Sequence, residues 1–586
     1  MYAVNDRVVV VTGASMGVGA ALTSPARGAN CRDCPTHTTR RRCVRDTLVY
    51  RTVGHGFCSR PVTFVVDFLR APDTTKTVVM VGPAEAGAPQ LPRFYAGREV
   101  LITGATGFMG KVLLERLLSQ CPEVGRLHLL IRDKRGESAH KRLARLKQSQ
   151  VFDNIRAHHP RQLDKLGVVS GDATLPQLGL DDYAVAQLRE VSLVFHNAAT
   201  VKFWEPLRVA VSQNVTSAVN VMDLCDKLPA LEALVHVSTA FTNAELQDVE
   251  ERVYEMGVQP RDLLEVLDAL TPEIIDQLTP KLIHPKPNTY VFTKALAEVV
   301  IAQRQNRKYS VTIFRPSIVI SAHRAPFPGW IEGLSGATGV VVGAGQGVLR
   351  VFHIKNDAKA DVVPVDVAID NMLAVGWEAA TDRPVETRVY YCGSEEHTLL
   401  WTDIRAEILR SGAVYPFDNV LYYPFAFGFQ NRYVYKMLEI LMQTIPLCTA
   451  DYLMTLFGIK PPVSLIKIAR RLSAMSHALG TITCHEWRFS YDNMRRLRER
   501  LQKTDGHLFY LDIRAVNWQE HISNYHRGAR RYLLRQEDTG LPRARRHMNR
   551  LRRMHYVVCA LCLALILYKF TTTLMPKLSS FTSYNT

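Results

Sequence analysis

Cysteine is scarce in this chain, with 11 among 586 residues, too few for a disulfide-stapled scaffold. No charged-then-apolar leader precedes Asn5, Asp6 and Arg7, so a secreted protein is not expected and a reducing, cytosol-facing compartment is. Acidic residues are outnumbered, 55 against 72 basic ones, for a net charge of +17. That excess is local. Residues 21–60 hold eight arginines against Asp33 and Asp46, and residues 527–553 hold ten against Glu537 and Asp538, so these two stretches carry 14 of the 17 charges. The rest lacks a phosphate-tracking face, and nucleic acid is not an expected partner. What the chain has in quantity is apolar residues, 47% against 22% charged, enough to bury a large core and to exclude a disordered protein. Its length excludes a lone small module and suits a large α/β domain with smaller parts.

Two stretches read as a strand entering a glycine-rich turn, residues 7–19 (RVVVVTGASMGVG) and 99–110 (EVLITGATGFMG). After Gly19 comes a Cys/Arg/Thr-rich stretch without helical periodicity, so Gly13, Gly17 and Gly19 open no βαβ unit and are expected to bind nothing. After Gly110, Val112, Leu113, Leu114, Leu117 and Leu118 recur at helical spacing, and a second strand follows at 127–131. Further apolar strands are expected at 167–172, 191–196, 233–238 and 310–315, alternating with longer segments, which predicts a parallel sheet covered by helices on both faces.

In the second turn Gly104, Gly107 and Gly110 allow a tight bend and close approach of backbone to a pyrophosphate, held by the helix N-terminus. Thr103, Thr106, Phe108 and Met109 complete that turn. Arg132, at the end of the second strand and 22 residues after Gly110, favours the 2'-phosphate of NADPH over the bare ribose of NAD, with Lys134 or Arg135 as helpers. Asp172 is expected to meet the adenine amino group, and Asn197 and Ala198 to let backbone approach the cofactor. Tyr290 and Lys294 share a helix face at i and i+4. A nearby ammonium is expected to lower the phenol's pKa and to grip the nicotinamide ribose. Ser238 and Thr239, at the end of the fifth strand, are candidates to bond a substrate carbonyl oxygen, with Thr239 favoured, and Asn214 a candidate anchor for a proton-relay water.

Residues 97 to about 538 resemble an alcohol-forming fatty acyl-CoA reductase of the extended short-chain dehydrogenase/reductase group. The resemblance rests on residues 103–110 (TGATGFMG), 195–200 (FHNAAT), 235–241 (VHVSTAF), 287–298 (PNTYVFTKALAE), 314–319 (FRPSIV), 326–333 (PFPGWIEG), 342–350 (VGAGQGVLR) and 360–366 (ADVVPVD), then on 511–514 (LDIR), Trp518 and 525–534. It implies an α/β fold: a Rossmann-like, doubly wound parallel sheet with a substrate subdomain, then a mainly helical C-terminal domain and a C-terminal membrane segment. It also implies that NADPH reduces a long-chain acyl-CoA to an aldehyde with loss of CoA, and then to the alcohol. The competing reading is an extended reductase or epimerase acting on a sterol or nucleotide sugar; the helix-prone insertion at 263–278 argues against a compact epimerase. A non-catalytic scaffold on the same fold is the reading from another class.

The expected parts are a disordered extension at 1–92, an NADPH-binding reductase domain at 93–395, a linker at 396–440, a helical domain at 441–538, and a basic stretch with an anchor near 556–574. Cys31, Cys34, Cys43 and Cys58 with His37 and His55 fit no ordered zinc pattern, and no metal is expected. Cys121, Cys225, Cys392, Cys448 and Cys484 are expected in the core. Residues 556–568 form an uncharged run, extended to Leu574 with Lys569 snorkelling. The arginines before it place that side in the cytosol, at an endoplasmic reticulum or peroxisome membrane. Residues 433–457 are expected to lie on membrane lipid or to line an acyl channel.

Overall fold

The computed structural model describes residues 88–574, apart from 335, 395, 396, 398 and 460–463, and before them only the backbone of six strand segments. Those segments, Tyr2–Val4, Arg7–Val9, Arg42–Val44, Thr47–Arg51, Thr63–Arg70 and Lys76–Met80, form one sheet in the order first, second, sixth, fifth, fourth, third. Residues 1–88 are a unit of their own. The Val-, Thr- and Phe-rich runs at 63–70 and 76–80 favour strand. Gly13, Gly17 and Gly19 lie outside the described residues.

Residues 89–586 are the second unit. Its centre is a seven-stranded parallel sheet of β1 (Glu99–Thr103), β2 (Leu127–Ile131), β3 (Leu166–Ser170), β4 (Val191–His196), β5 (Ala233–Val237), β6 (Ser310–Pro316) and β7 (Arg388–Cys392), in the order 7-6-5-4-1-2-3. Every residue of β2, β4, β5 and β6 is buried, as a sheet covered on both faces requires. Strand order reverses between β1 and β4, and the crevice beyond that point is where such sheets bind ligands. The sequence pattern yielded six of the seven strands; β7 (RVYYC) is a short run of five residues whose apolar character rests on Val389, Tyr390, Tyr391 and Cys392 alone. Helix Phe108–Gln120 buries the expected Val112, Leu113, Leu114, Leu117 and Leu118.

The stretch expected to link two domains is built into the body. Helix Trp401–Val414 buries Glu407, Ile408, Ser411 and Gly412 at helical spacing, and packs along Trp518–Gly528. The C-terminal part is also tied to the sheet by buried charge. Arg116 donates from Nε and Nη2 to Asp370 at 2.7 and 2.9 Å and to the Leu508 carbonyl at 2.8 Å, and Asp370 accepts the Tyr510 N–H at 2.7 Å. Asp505 accepts the N–H groups of Gln90 and Leu91 at 3.1 and 2.8 Å. Of the cysteines expected in the core, Cys121, Cys225 and Cys392 are buried, while Cys448 and Cys484 sit half-exposed at its edge.

Asp370→Ala strands a buried guanidinium and the Tyr510 N–H, and should lower stability by about 3–5 kcal/mol. Arg116→Met combined with Asp370→Leu should recover most of that loss. Denaturant midpoints of the three proteins check both.

Candidate active site

The glycine turn forms because nothing larger fits. Gly104 has φ +71°, and a Cβ there would sit 2.7 Å from the Asn197 carbonyl. A Cβ on Gly110 would collide with the Gly104 carbonyl oxygen. Thr103 Oγ accepts the Ala198 N–H at 3.1 Å and lies 2.8 Å from His196 Nδ1, which locks the ends of β1 and β4 side by side. Between them opens a cleft of about 550 Å³. Gly104, Thr106, Gly107, Phe108, Met109, Arg132, Asp172, Asn197, Ala198, Ser238, Thr239, Tyr290 and Lys294 all line it. Thr103, Gly110 and Asn214 stand behind the wall as supports.

One end of the cleft is cationic. Arg132 and Lys134 line it, joined by Arg142, which the sequence reading did not single out. Arg142 donates to Thr106 Oγ at 3.3 Å and to the Arg132 carbonyl, and Arg132 Nη1 donates to Asp172 at 3.1 Å. Partial burial and the positive charges of Arg132 and Arg142 together hold Lys134 below the usual lysine range, the mark of a site short of negative charge. The glycine cradle and this cluster fit a dinucleotide carrying an additional phosphate. Asp172 also accepts the N–H and hydroxyl of Thr174, each at 3.0 Å, so it orders its own loop as well as Arg132.

The other end is dry. Helix Thr289–Gln303 starts at Asn288, whose side chain accepts the Val291 N–H at 2.9 Å, and it presents Tyr290 and Lys294 together. Lys294 Nζ donates to the Val237 carbonyl at 2.7 Å; burial lowers its pKa to about 8 against the opposing pull of Glu298. The phenol departs from expectation. Burial raises Tyr290 to about 12, with only the Thr239 hydroxyl working the other way. The ammonium is committed to Val237, and desolvation outweighs any help it gives the phenolate. At neutral pH Tyr290 is therefore a protonated donor. Ser238 Oγ is buried with no partner.

Asn214 is held by its own side-chain bonds. It lies in a widened helical turn, Ser212–Thr216. Its side chain accepts the Thr200 N–H at 2.8 Å and donates to the Thr200 carbonyl and Thr293 Oγ at 3.3 and 2.9 Å. Both of its N–H bonds are spent fastening the β4 loop to the Tyr290 helix. Helices Pro260–Ala269 and Pro272–Leu282 cover that helix, burying Leu263, Leu267 and Ile275 against Phe292 and Leu296. Among the described residues no group of three or more His, Cys, Asp or Glu side chains could hold a metal ion; Cys31, Cys34, Cys58, His37 and His55 lie outside them.

Known proteins share this architecture. A family described as male sterility protein matches twice, its NAD-binding part over residues 102–372 and a second part over 442–536. Fatty acyl-CoA reductase 1 of Rattus norvegicus is 35% identical over 469 residues, 80% of this chain and 90% of its own length. Fatty acyl-CoA reductase 2 of Bos taurus is 35% identical over 471 residues, 79% and 90% of the two chains. Among solved structures, the reductase domain of a nonribosomal peptide synthetase from Mycobacterium tuberculosis superposes with a TM-score of 0.52 at 20% identity, over 76% of this chain and 93% of that one. That likeness establishes the fold.

A buried lysine whose pKa is lowered costs stability wherever it is charged in the folded protein, below about pH 8. The cost fades as pH rises toward the unfolded value of about 10.4. Lys294→Met should therefore stabilise the protein at pH 7 by up to about 3 kcal/mol, with the gain gone above about pH 10. Thermal melts across pH 6–10.5 check the sign.

Proposed function

The chain belongs to the fatty acyl-CoA reductase family, and from that premise we propose that it reduces long-chain fatty acyl-CoA with NADPH to the fatty alcohol, releasing CoA and holding the aldehyde in between. The observation that carries this reading is a protonated phenol, Tyr290, beside Thr239 and Lys294 at the dry end of a cleft whose far end gathers Arg132, Lys134 and Arg142. The relatives' names supply the substrate class.

Bound NADPH supplies the hydride at each of two stages. Arg132, Lys134 and Arg142 would hold its extra phosphate and Lys294 its nicotinamide ribose. Tyr290 and Thr239 bond the substrate's carbonyl oxygen, where negative charge develops as the carbon becomes tetrahedral. In the first stage that oxygen keeps its electron pair, re-forms the carbonyl and expels the CoA thiolate, leaving the aldehyde. In the second the aldehyde oxygen takes the Tyr290 proton and becomes the alcohol. The phenol's raised pKa suits this role, since a donor must remain protonated until the oxyanion appears.

Residues 93–395 serve as the reductase domain and 441–538 as a second domain packed on it. Helix Leu541–Lys569 serves as the anchor: it is the one helix among the described residues long and apolar enough to cross a membrane. The anchoring part is residues 556–574, and the arginines of the helix's first half, residues 543–553, set the cytosolic side, at an endoplasmic reticulum or peroxisome membrane.

Incubating the full chain with NADPH and saturated acyl-CoAs, with the products identified by mass spectrometry, should give alcohols and free CoA. Tyr290→Phe should abolish product while NADPH binding, read by fluorescence, persists; a variant keeping most of the rate would remove Tyr290 from the mechanism. Thr239→Ala should slow turnover by roughly 10²-fold or more, and Ser238→Ala by less.

High salt should leave the full chain in the membrane pellet, because burial of an apolar helix is insensitive to ionic screening. Release by salt alone would mean that the arginines, not the helix, hold it.

A further inference from the structure

Behind the catalytic wall lies an apolar cavity of about 110 Å³. One side is a helix face, Ala337, Val340, Val341 and Ala344 at i, i+3, i+4 and i+7; the other is Trp401, Ile404 and Ile408 on the helix that the sequence reading took for a linker. Five lining residues carry polar side-chain atoms; four are engaged, and the Trp401 indole N–H is buried without a partner. Asn356 donates to the Gly428 carbonyl at 2.9 Å, Thr483 to the His353 carbonyl at 2.7 Å, Arg405 to Thr402 at 3.3 Å, and Tyr525 pairs with Thr338 at 2.7 Å. The Trp401 N–H is a single donor where a buried water needs two or more partners, so hydrocarbon suits the void better than water.

The cavity lies against the back of the catalytic cleft, with one strand between them. Strand Ile318–Ile320 alternates, with Val319 facing the cofactor cleft and Ile318 and Ile320 facing the cavity. Ile318, Trp401 and Ile482 line both the cavity and a narrow gap walled by Phe241, two residues beyond Thr239, and by Lys359 and Asp361, the latter accepting the Ser394 N–H at 2.8 Å and the Tyr491 hydroxyl at 3.1 Å. We propose that this cavity receives the terminal carbons of the substrate's acyl tail, with Phe241 and Ile318 at its neck, so that Ala344 and Ile408 set chain-length preference. The proposal rests on the acyl-CoA reading above. None of its walls comes from residues 433–457, so the acyl-channel expectation moves to other elements.

The test uses the full chain. Ala344→Trp fills the cavity and should lower the ratio of kcat/KM for 18-carbon over 10-carbon acyl-CoA at least tenfold; Ile408→Ala enlarges it and should raise the ratio. The magnitude follows from about fourfold in affinity per buried methylene. Wild-type ratios in both variants would overturn the proposal. Should Ala344→Trp fail to melt cooperatively, a 16-carbon acyl-CoA with a diazirine at its terminal carbon decides: adducts within 337–345 or 401–409 support the cavity, and adducts confined to 433–457 overturn it. Wild-type protein that reduces no acyl-CoA would sink the functional reading, and the photolabel would still judge the cavity by itself.

Discussion

A single buried guanidinium holds the catalytic helix in register. Arg315, fully buried on β6, donates from Nε to Glu298 at 2.9 Å, from Nη1 to the Tyr391 hydroxyl at 2.7 Å, and from Nη2 to the Arg252 carbonyl at 2.9 Å. Glu298 is one helical turn beyond Lys294 and two beyond Tyr290, so the pair fixes the rotation of the helix that carries both. Taking these two charges out of water is costly, and the cost is offset only because the fork of donors is fully satisfied. Such a contact contributes little net stability and much geometric definition. The same carboxylate opposes the fall of the Lys294 pKa, so one residue sets both the position and the charge of its neighbour.

Around that fixed helix the cleft is divided electrostatically. Its mouth near β2 crowds cations that lack enough counter-charge, while its floor near β5 is so desolvated that both titratable groups shift toward their neutral forms. An anion is welcome at one end and a neutral carbonyl at the other. That polarity orients a bifunctional ligand before any specific contact forms, and it keeps the proton on Tyr290 until an oxyanion claims it.

What the sequence revealed was local. The glycine turn, the helix after it, six of the seven strands, and Tyr290 with Lys294 each announce themselves by spacing within about twenty residues. What it hid depends on distant partners. Arg142 joins Arg132 only because helix Ala139–Lys147 folds back over β2. Asn214 proved to be a clamp because Thr200 and Thr293 meet it from two other elements. Helix Trp401–Val414 looked like a linker because the face it buries is matched by residues more than a hundred positions away. The phenol's pKa went the other way because burial, invisible in a spacing, outweighs the one opposing contact, the Thr239 hydroxyl.

The C-terminal helix shows how attachment and fold are joined. Its first half buries Leu541, Ala544, Met548 and Leu551 against the body, a stripe at helical spacing with the arginines outside it. From Tyr556 to Phe570 the same helix exposes Val557, Leu561, Leu565 and their neighbours on every side. A helix apolar all round is the feature on which the proposed anchor rests. At the change-over, the Tyr422 hydroxyl bonds His555 at 3.1 Å, and Tyr423 and Phe425 pack on its ring. The helix therefore leaves the body as a continuous rod clamped at its exit, with no flexible joint. With this helix as the proposed anchor, its orientation in a bilayer would fix that of the body, and with it the outward apolar side chains Tyr433, Met437, Leu441, Tyr452, Leu456 and Phe457. An attachment of this kind constrains which face of the enzyme meets lipid, where a tether would only constrain how far away it drifts.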